Sequence, residues 1–422
     1  MGKRYRLTFG ASKTKVTVTG SRRDMSYYKD INIWTMDGKQ LEVADNNEHL
    51  GLVVSGHDEE IKNIDKNIGS ARKILFSLLG SIFSYRCKLS QLVLHHVWTL
   101  YVNPALRSGL AALPIRPSTV KTLTRFHHKI LRGILKLSSS SPIPALYFLL
   151  GEIPIESALH IDLLTLFWCV WSNPQTKVYE IVKYLLMMSN SSSLTWAAHL
   201  KLLCQMYDLP NPLKLLNGEL WPKEKWKLLV KSRVTVHTEA KWRAKAASNS
   251  KLSFLNPQIS GLIGRPHPVL SGILTTQEVV RSRVHIRMLA GDYPCYAYIG
   301  TDQNKDPTCR LCQSQSQEQQ TPPEDMVHLL ASCKATAGTR ARVIPELLNT
   351  IAYYYPDNAL LNNPSHSYLT QLILDPTSLN LPLNIRISPD YPGLQKVLEM
   401  CRTVCFAIHK DRIRKLKTLS LK

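Results

Sequence analysis

"EEIKNIDKNIGSARKILFSLLG" (residues 59–80) is where the chain changes its period. Ile61, Ile64, Ile68, Ala71, Leu75, Leu78 and Leu79 recur at steps of three and four, the spacing that lines one face of an α-helix. Upstream, "YRLTFG" (5–10), "KVTVTGS" (15–21) and "HLGLVVSG" (49–56) cluster or alternate β-branched and aromatic residues between Gly, Ser and Asn breaks, and read as strands. Downstream the helical period persists. A second helix is expected over about Lys88 to Val102, stopping before Pro104, because the residue ahead of a proline is pushed out of the helical region. A third begins after Pro117, with Ser118 as its cap and Val120, Leu123, Ile130, Ile134 and Leu137 as its apolar side. The expected fold is mainly α and multi-domain, with a small β segment at the N-terminus.

Farther along, "SSSSP" (138–142) reads as a hinge. Leu- and Trp-rich helical sequence follows to about Lys251, broken by "SNSSS" (189–193) and "DLPNP" (208–212). A turn-rich segment, "NPQISGLIGRPHP" (256–268), leads into a helix, "TTQEVVRSRVHIRMLAGDYPC" (275–295), and then into a Cys-bearing segment. From about Thr339 come a helix, a Pro/Asn-rich connector and a C-terminal helix. That helix ends in the basic run "HKDRIRKLKTLSLK" (409–422), expected to fray or to touch nucleic acid. The order along the chain divides into 1–57, 58–137, 142–300, 301–345 and 346–422.

Charge narrows the function. Fifty-three Lys and Arg against 31 Asp and Glu leave a net +22, an excess that attracts polyanions, nucleic acid before an anionic membrane surface. Membrane insertion is not expected, since the longest apolar run, "LLTLFWCVW" (163–171), falls well short of the roughly 20 residues a spanning helix needs. No apolar signal core follows Met1, and Arg6 stands where N-myristoylation needs a small hydroxyl residue. Nine cysteines form no regular framework. Cys87, Cys169, Cys204, Cys295, Cys401 and Cys405 read as buried free thiols, which implies a reducing compartment, nuclear or cytoplasmic.

The other side of the third helix carries Lys121, Arg125, His128, Arg132 and Lys136 three or four apart, a continuous cationic stripe that reads either as a solvated face or, more sharply, as a contact for phosphates. A second constellation is Cys309-x2-Cys312-x15-His328-x4-Cys333. Two cysteines two apart sit on a tight turn with both sulfurs aimed at one point, and three thiolates with one imidazole make a closed tetrahedral set for structural Zn²⁺. "TPPE" (321–324) reads as a capping box with proline at the first helical position, opening the helix that carries His328. At about 100° per residue the five-residue step to Cys333 leaves the two on different faces, so Cys333 is expected where that helix ends or distorts. No Gly-rich phosphate loop and no nucleophile–base arrangement is present, and the pairs His95-His96 and His127-His128 read as ordinary core or surface histidines.

The order of these features resembles the C-terminal part of LINE-type, non-LTR retrotransposon reverse transcriptases. Leu7 with Lys13-Thr14-Lys15 is similar to the palm segment after the catalytic aspartates, and His49-Leu50-Gly51 to the next palm motif, with His49 in place of the usual tyrosine. "LHHVWTLYVNPALRSGL" (94–110) resembles the thumb helix that ends in Pro-x-Leu-x-x-Gly, here Pro104, Leu106 and Gly109. "RSRVHIRMLAGDYPC" (281–295), the Cys/Cys/His/Cys cluster and Arg340 follow in the family's order. The resemblance implies a palm end, a helical thumb and linker, and a zinc module whose Arg310, Lys334, Arg340 and Arg342 meet RNA or DNA. It also implies that the chain begins in mid-palm. The polymerising carboxylates of that family lie upstream of this point, and no Asp-Asp pair occurs in these residues, so no catalytic residue and no polymerase activity is assigned to them. Two alternatives stand beside this: the C-terminal half of an active RNA-directed DNA polymerase, and a zinc-stabilised interaction protein without a nucleic-acid role.

Overall fold

Strand gives way to helix at residue 59, where the period changes. The computed structural model describes residues 14–18, 26–28, 31, 33–36, 38–56, 58–79, 88–189, 195–255, 263–295, 307–314, 322–355, 364–378 and 392–420. Among them are the short strands β1 (Lys15–Val16), β2 (Thr35–Met36), β3 (Lys39–Gln40), β4 (Glu42–Val43), β5 (Asn46–His49) and β6 (Leu52–Ser55). β1 pairs with β4 in parallel; β2 with β3, and β5 with β6, pair antiparallel. "YRLTFG", Leu7 and Lys13 lie outside the described residues, as does Cys87. "HLGLVVSG" is a hairpin where one strand was expected. Leu50 and Gly51 both take positive φ, +48° and +83°, the conformation of a two-residue turn whose twist matches its flanking strands.

Asn63 and Gly109 fasten that hairpin, and Asn67 holds the residues ahead of Gly109. On α1 (Glu59–Leu79), Ile64, Ile68, Ala71 and Leu75 are buried as the period requires. Asn63 of this helix accepts from Val53 N–H and donates to Val53 C=O, both at 2.8 Å, so its amide pairs with β6 as a further strand would. Asn67 donates to the carbonyls of Leu106 (3.2 Å) and Ser108 (2.8 Å). Gly109 follows at φ +72°, and a Cβ there would stand 2.4 Å from Leu52 Cδ2. The Pro-x-Leu-x-x-Gly element is thus a packing device against β6.

Pro104 does not end the second helix. α2 (Gln91–Val97) passes through a π-turn (Trp98–Val102) into α3 (Asn103–Arg107). The change of register puts Pro104 in the first turn of a new segment, where its missing N–H has no intrahelical acceptor to lose. α4 (Pro117–Leu135) is not capped by Ser118, which lies inside it. Arg116 precedes it, and Glu60 supplies the acceptors, to Arg116 N–H at 2.7 Å and to the Thr119 hydroxyl at 3.2 Å.

The remaining helices are α5 (Ile143–Leu150), α6 (Ile155–Trp171), α7 (Lys177–Met188), α8 (Trp196–Met206), α9 (Pro212–Leu216), α10 (Lys223–Ala247), α11 (Thr276–Leu289), α12 (Arg310–Gln313), α13 (Ala337–Tyr354), α14 (His366–Leu374) and α15 (Pro392–Ser420). The chain is mainly helical, and no single described helix is long and apolar enough to cross a membrane. It forms two compact units, one from residues 1–78, 100–125 and 158–233, the other from 79–99, 126–157 and 234–422. In the first, Phe167, Trp171 and Trp226 make an aromatic core, with Trp226 Nε1 donating to Leu164 C=O at 2.8 Å. In the second, α15 buries Val397, Leu398, Cys401, Val404, Cys405 and Ile408. There Arg402 Nε donates to Glu278 at 2.6 Å with both side chains largely removed from water. Residues 138–142, expected as a hinge, are a pinned turn inside this second unit. Arg132 donates to Ser141 Oγ (3.1 Å) and C=O (3.2 Å), and Ser138 N–H to Asp292 (3.0 Å).

Candidate metal centre

A minimal β-bridge builds the centre. Thr308 and Pro323 pair antiparallel, flanked by Cys309 N–H on Pro322 C=O (3.1 Å) and Glu324 N–H on Pro307 C=O (2.9 Å). Cys309 then opens the single turn α12, whose amides of Cys312 and Gln313 return to Cys309 C=O at 3.1 and 2.9 Å. That turn brings the Cys309 and Cys312 sulfurs to one side.

His328 arrives differently from the expectation. Thr321 lies outside the described residues, Pro323 belongs to the bridge, and the expected capping box does not open the helix. The turn starts at Met326, and Asp325 Oδ1 accepts the His328 N–H at 2.7 Å. Glu324 points inward instead. Its two oxygens accept Arg412 Nε and Nη2, each at 2.9 Å, a bidentate pair that proximity in sequence could not reveal. The distortion expected before Cys333 is a π-turn, His328–Ser332, closed by Cys333 N–H on His328 C=O at 2.7 Å. An i→i+5 turn stacks residues five apart, where an α-helix would splay them.

The result is a buried knot. Cys312 Sγ is 3.4 Å from His328 Nε2 and 3.6 Å from Cys333 Sγ, which is 4.0 Å from Cys309 Sγ. All four ligand atoms lie within 4.8 Å of one another. A tetrahedral ion with metal–sulfur bonds of about 2.3 Å requires sulfur–sulfur edges of about 3.8 Å, whereas a disulfide requires about 2.05 Å. The sulfurs therefore stand at ligand spacing, and the set can hold a metal ion. Its neighbours Cys309 and then His328 draw the Cys333 thiol well below the ordinary range, against the effect of burial. Cys309, paired with Cys333, sits well above the ordinary thiol range, and burial raises Cys312. The amides of Ala335 and Lys334 also point at Cys312, and that of Cys312 at Cys309, donors that favour thiolates. An ion held by all four residues would have no position left open for water.

Its surroundings belong to α15. Leu311 and Ala335 form a small core with the three cysteines, and Leu416 and Leu419 pack against it. Lys415 donates to Ala335 C=O and to Asp411. The basic C-terminal run, expected to fray or to touch nucleic acid, is helical to Ser420, and Arg412 within it is buried.

Arg310, Lys334 and Arg342 are exposed on this module, while Arg340 is half-buried and donates to Thr336 Oγ1 at 2.8 Å. The stripe on α4 is not continuous. Lys121 and Arg125 are exposed, but His128 is buried against the Tyr147 hydroxyl at 2.7 Å, Arg132 is spent on Ser141, and Lys136 is buried at φ +59° past the helix end. Cys169, expected to be buried, is exposed.

A second polar cluster escaped the sequence reading. Glu152 receives His95 Nε2 at 2.6 Å and Trp98 Nε1 at 3.1 Å, with His127 Nε2 at 3.5 Å. Burial works against its charge, yet the imidazoles of His127 and His95 beside it hold it below the usual carboxylate range. Trp98 sits in the π-turn and stacks on His127 at 5.3 Å. The network ties α2, α4 and the loop after α5 together. The chain matches no protein-family model, no curated protein and no solved structure.

Proposed function

We propose that these residues bind RNA or DNA without catalysing a reaction, in the manner of the palm end, thumb, linker and zinc region of a LINE-type reverse transcriptase, and that the ion held by Cys309, Cys312, His328 and Cys333 is zinc. The observation that carries this is where the cations stand. Lys121 and Arg125 lie exposed on α4, and Arg310, Lys334 and Arg342 on a module clipped by four buried ligands. Cations held on stiff elements contact phosphates with less ordering cost than cations on loose chain. The packing of Gly109 on Leu52 supports the likeness to the thumb, because it gives the Pro-x-Leu-x-x-Gly spacing a physical reason. The reading places the protein's work in the nucleus or cytoplasm, where thiols stay reduced. The test is binding of labelled RNA and DNA by the purified 422-residue chain, followed by anisotropy, with nucleotide incorporation assayed in parallel. Saturable binding without incorporation is expected. Incorporation by this chain, or no binding to either polymer, overturns it.

A further inference from the structure

A groove of about 700 Å³ opens among α11, α13 and α15. Its walls carry Arg281, Arg342, Phe406, Lys410, Arg414 and Lys417. The one carboxylate in the lining, Asp411, is already occupied by the Thr339 hydroxyl (2.9 Å), Arg414 (2.7 Å) and Lys415 (2.8 Å). Arg281 is held by Glu278 at 3.1 Å and Thr403 at 3.2 Å. Arg342, Lys410 and Lys417 are exposed, and none is in an ion pair with a carboxylate among the described residues. The groove is therefore a concave surface with an uncompensated positive field, the condition that focuses on a polyanion.

Periodicity gives the ligand its shape. Phe406, Lys410, Arg414 and Lys417 follow at steps of four, four and three, one face of α15. Lys410 to Lys417 spans about 10 Å at 1.5 Å per residue, long enough to meet more than one backbone phosphate of an extended strand. The half-buried Phe406 ring stands at one end of that row, where a base freed from pairing can lie against it. The other face of the helix carries Arg412, Lys415, Leu416 and Leu419 and is fixed to the metal module. The row of cations is thereby rigid, and its setting depends on the metal knot behind it.

We infer that this groove holds the backbone of single-stranded nucleic acid, with Arg342, Lys410 and Lys417 on its phosphates and Phe406 beside a base. The inference rests on the nucleic-acid reading above and names a surface for it. The test uses the full chain with a labelled oligoribonucleotide of about 20 nucleotides. Arg342→Ala/Lys410→Ala/Lys417→Ala alters only exposed side chains, and Lys73→Ala/Lys214→Ala/Lys231→Ala removes the same charge elsewhere. The groove variant is expected to weaken binding at least about tenfold and to lower the salt slope by about 2, at 0.7 per phosphate lost, with the control variant close to wild type. Equal binding by wild type and groove variant overturns the groove and leaves nucleic-acid binding standing. An equal loss in both variants reduces the effect to bulk charge and overturns it. Displacement of the RNA by poly-glutamate as readily as by unlabelled RNA assigns the groove to an acidic protein partner. Tighter binding of a duplex than of the single strand refutes the stacking geometry. A wild type that binds no nucleic acid removes both readings.

Discussion

Arg412 shows what a single residue does here. Its guanidinium is buried, forks onto Glu324, donates to Pro294 C=O at 3.0 Å and lies over the Tyr293 ring at 5.5 Å. Burial alone lowers the tendency to hold a proton, but Glu324 more than offsets it and keeps the charge fixed. Truncation would strand a buried carboxylate, so Arg412→Ala is expected to cost about 3–5 kcal/mol in urea unfolding; a cost below about 1 kcal/mol would show the pair to be open to water. Two histidines give a pH signature. His128, beside His127 and Arg132, and His285, beside Arg402, Asp375 and His267, are both held neutral down to about 4, chiefly by burial. An unfolded chain protonates such imidazoles near about 6.5. Between those values the unfolded state binds more protons, so stability falls as pH drops from about 6.5 to about 4 and this contribution levels off below. Unfolding midpoints measured across that window check it, and His128→Gln together with His285→Gln should flatten the decline.

At the scale of elements, two π-turns do what α-helix cannot. One carries Trp98 to Glu152; the other sets His328 and Cys333 on the same side of the metal knot. The purified chain is expected to hold about one zinc ion, and Cys309→Ser/Cys312→Ser to lose it, as metal analysis would read. A metal-free wild type refutes the centre. Losing the ion should also loosen α15, whose Leu416 and Leu419 pack on the knot, seen as faster amide exchange over residues 410–420. The ligands were legible because cysteine and histidine at metal spacing are chemically distinctive. Their scaffold was not. Thr321 and Asp325 are both good caps by type, and only the bridge at Pro323 decides for Asp325. Leu50-Gly51 lacks the Asn-Gly signature of its turn, and Pro104 reads as a stop unless the π-turn before it is known. The stripe on α4 failed for a related reason: spacing places residues on a face, and what covers that face comes from Tyr147 and Ser141, farther along the chain.

At the scale of the whole molecule, an excess of 22 positive charges has to be reconciled with folding. Buried pairs such as Arg402 with Glu278 and Arg412 with Glu324 are neutral as pairs and leave that excess untouched. Exposed cations carry it outward, among them those on α4, on the metal module and along the groove face of α15. Helical class was readable from period alone. The assembly of each compact unit from three separated stretches was not, because the pairings that make it, such as Asn67 with Ser108 or Glu152 with His95, join residues of ordinary type far apart in sequence. The measurement that bears most directly on the account is the affinity of the purified chain for single-stranded RNA as salt is raised. With roughly five phosphates contacted, the logarithm of the association constant should fall linearly with the logarithm of salt concentration, with a slope of about −3 to −4. A flat response, or no binding at the lowest salt, would contradict it.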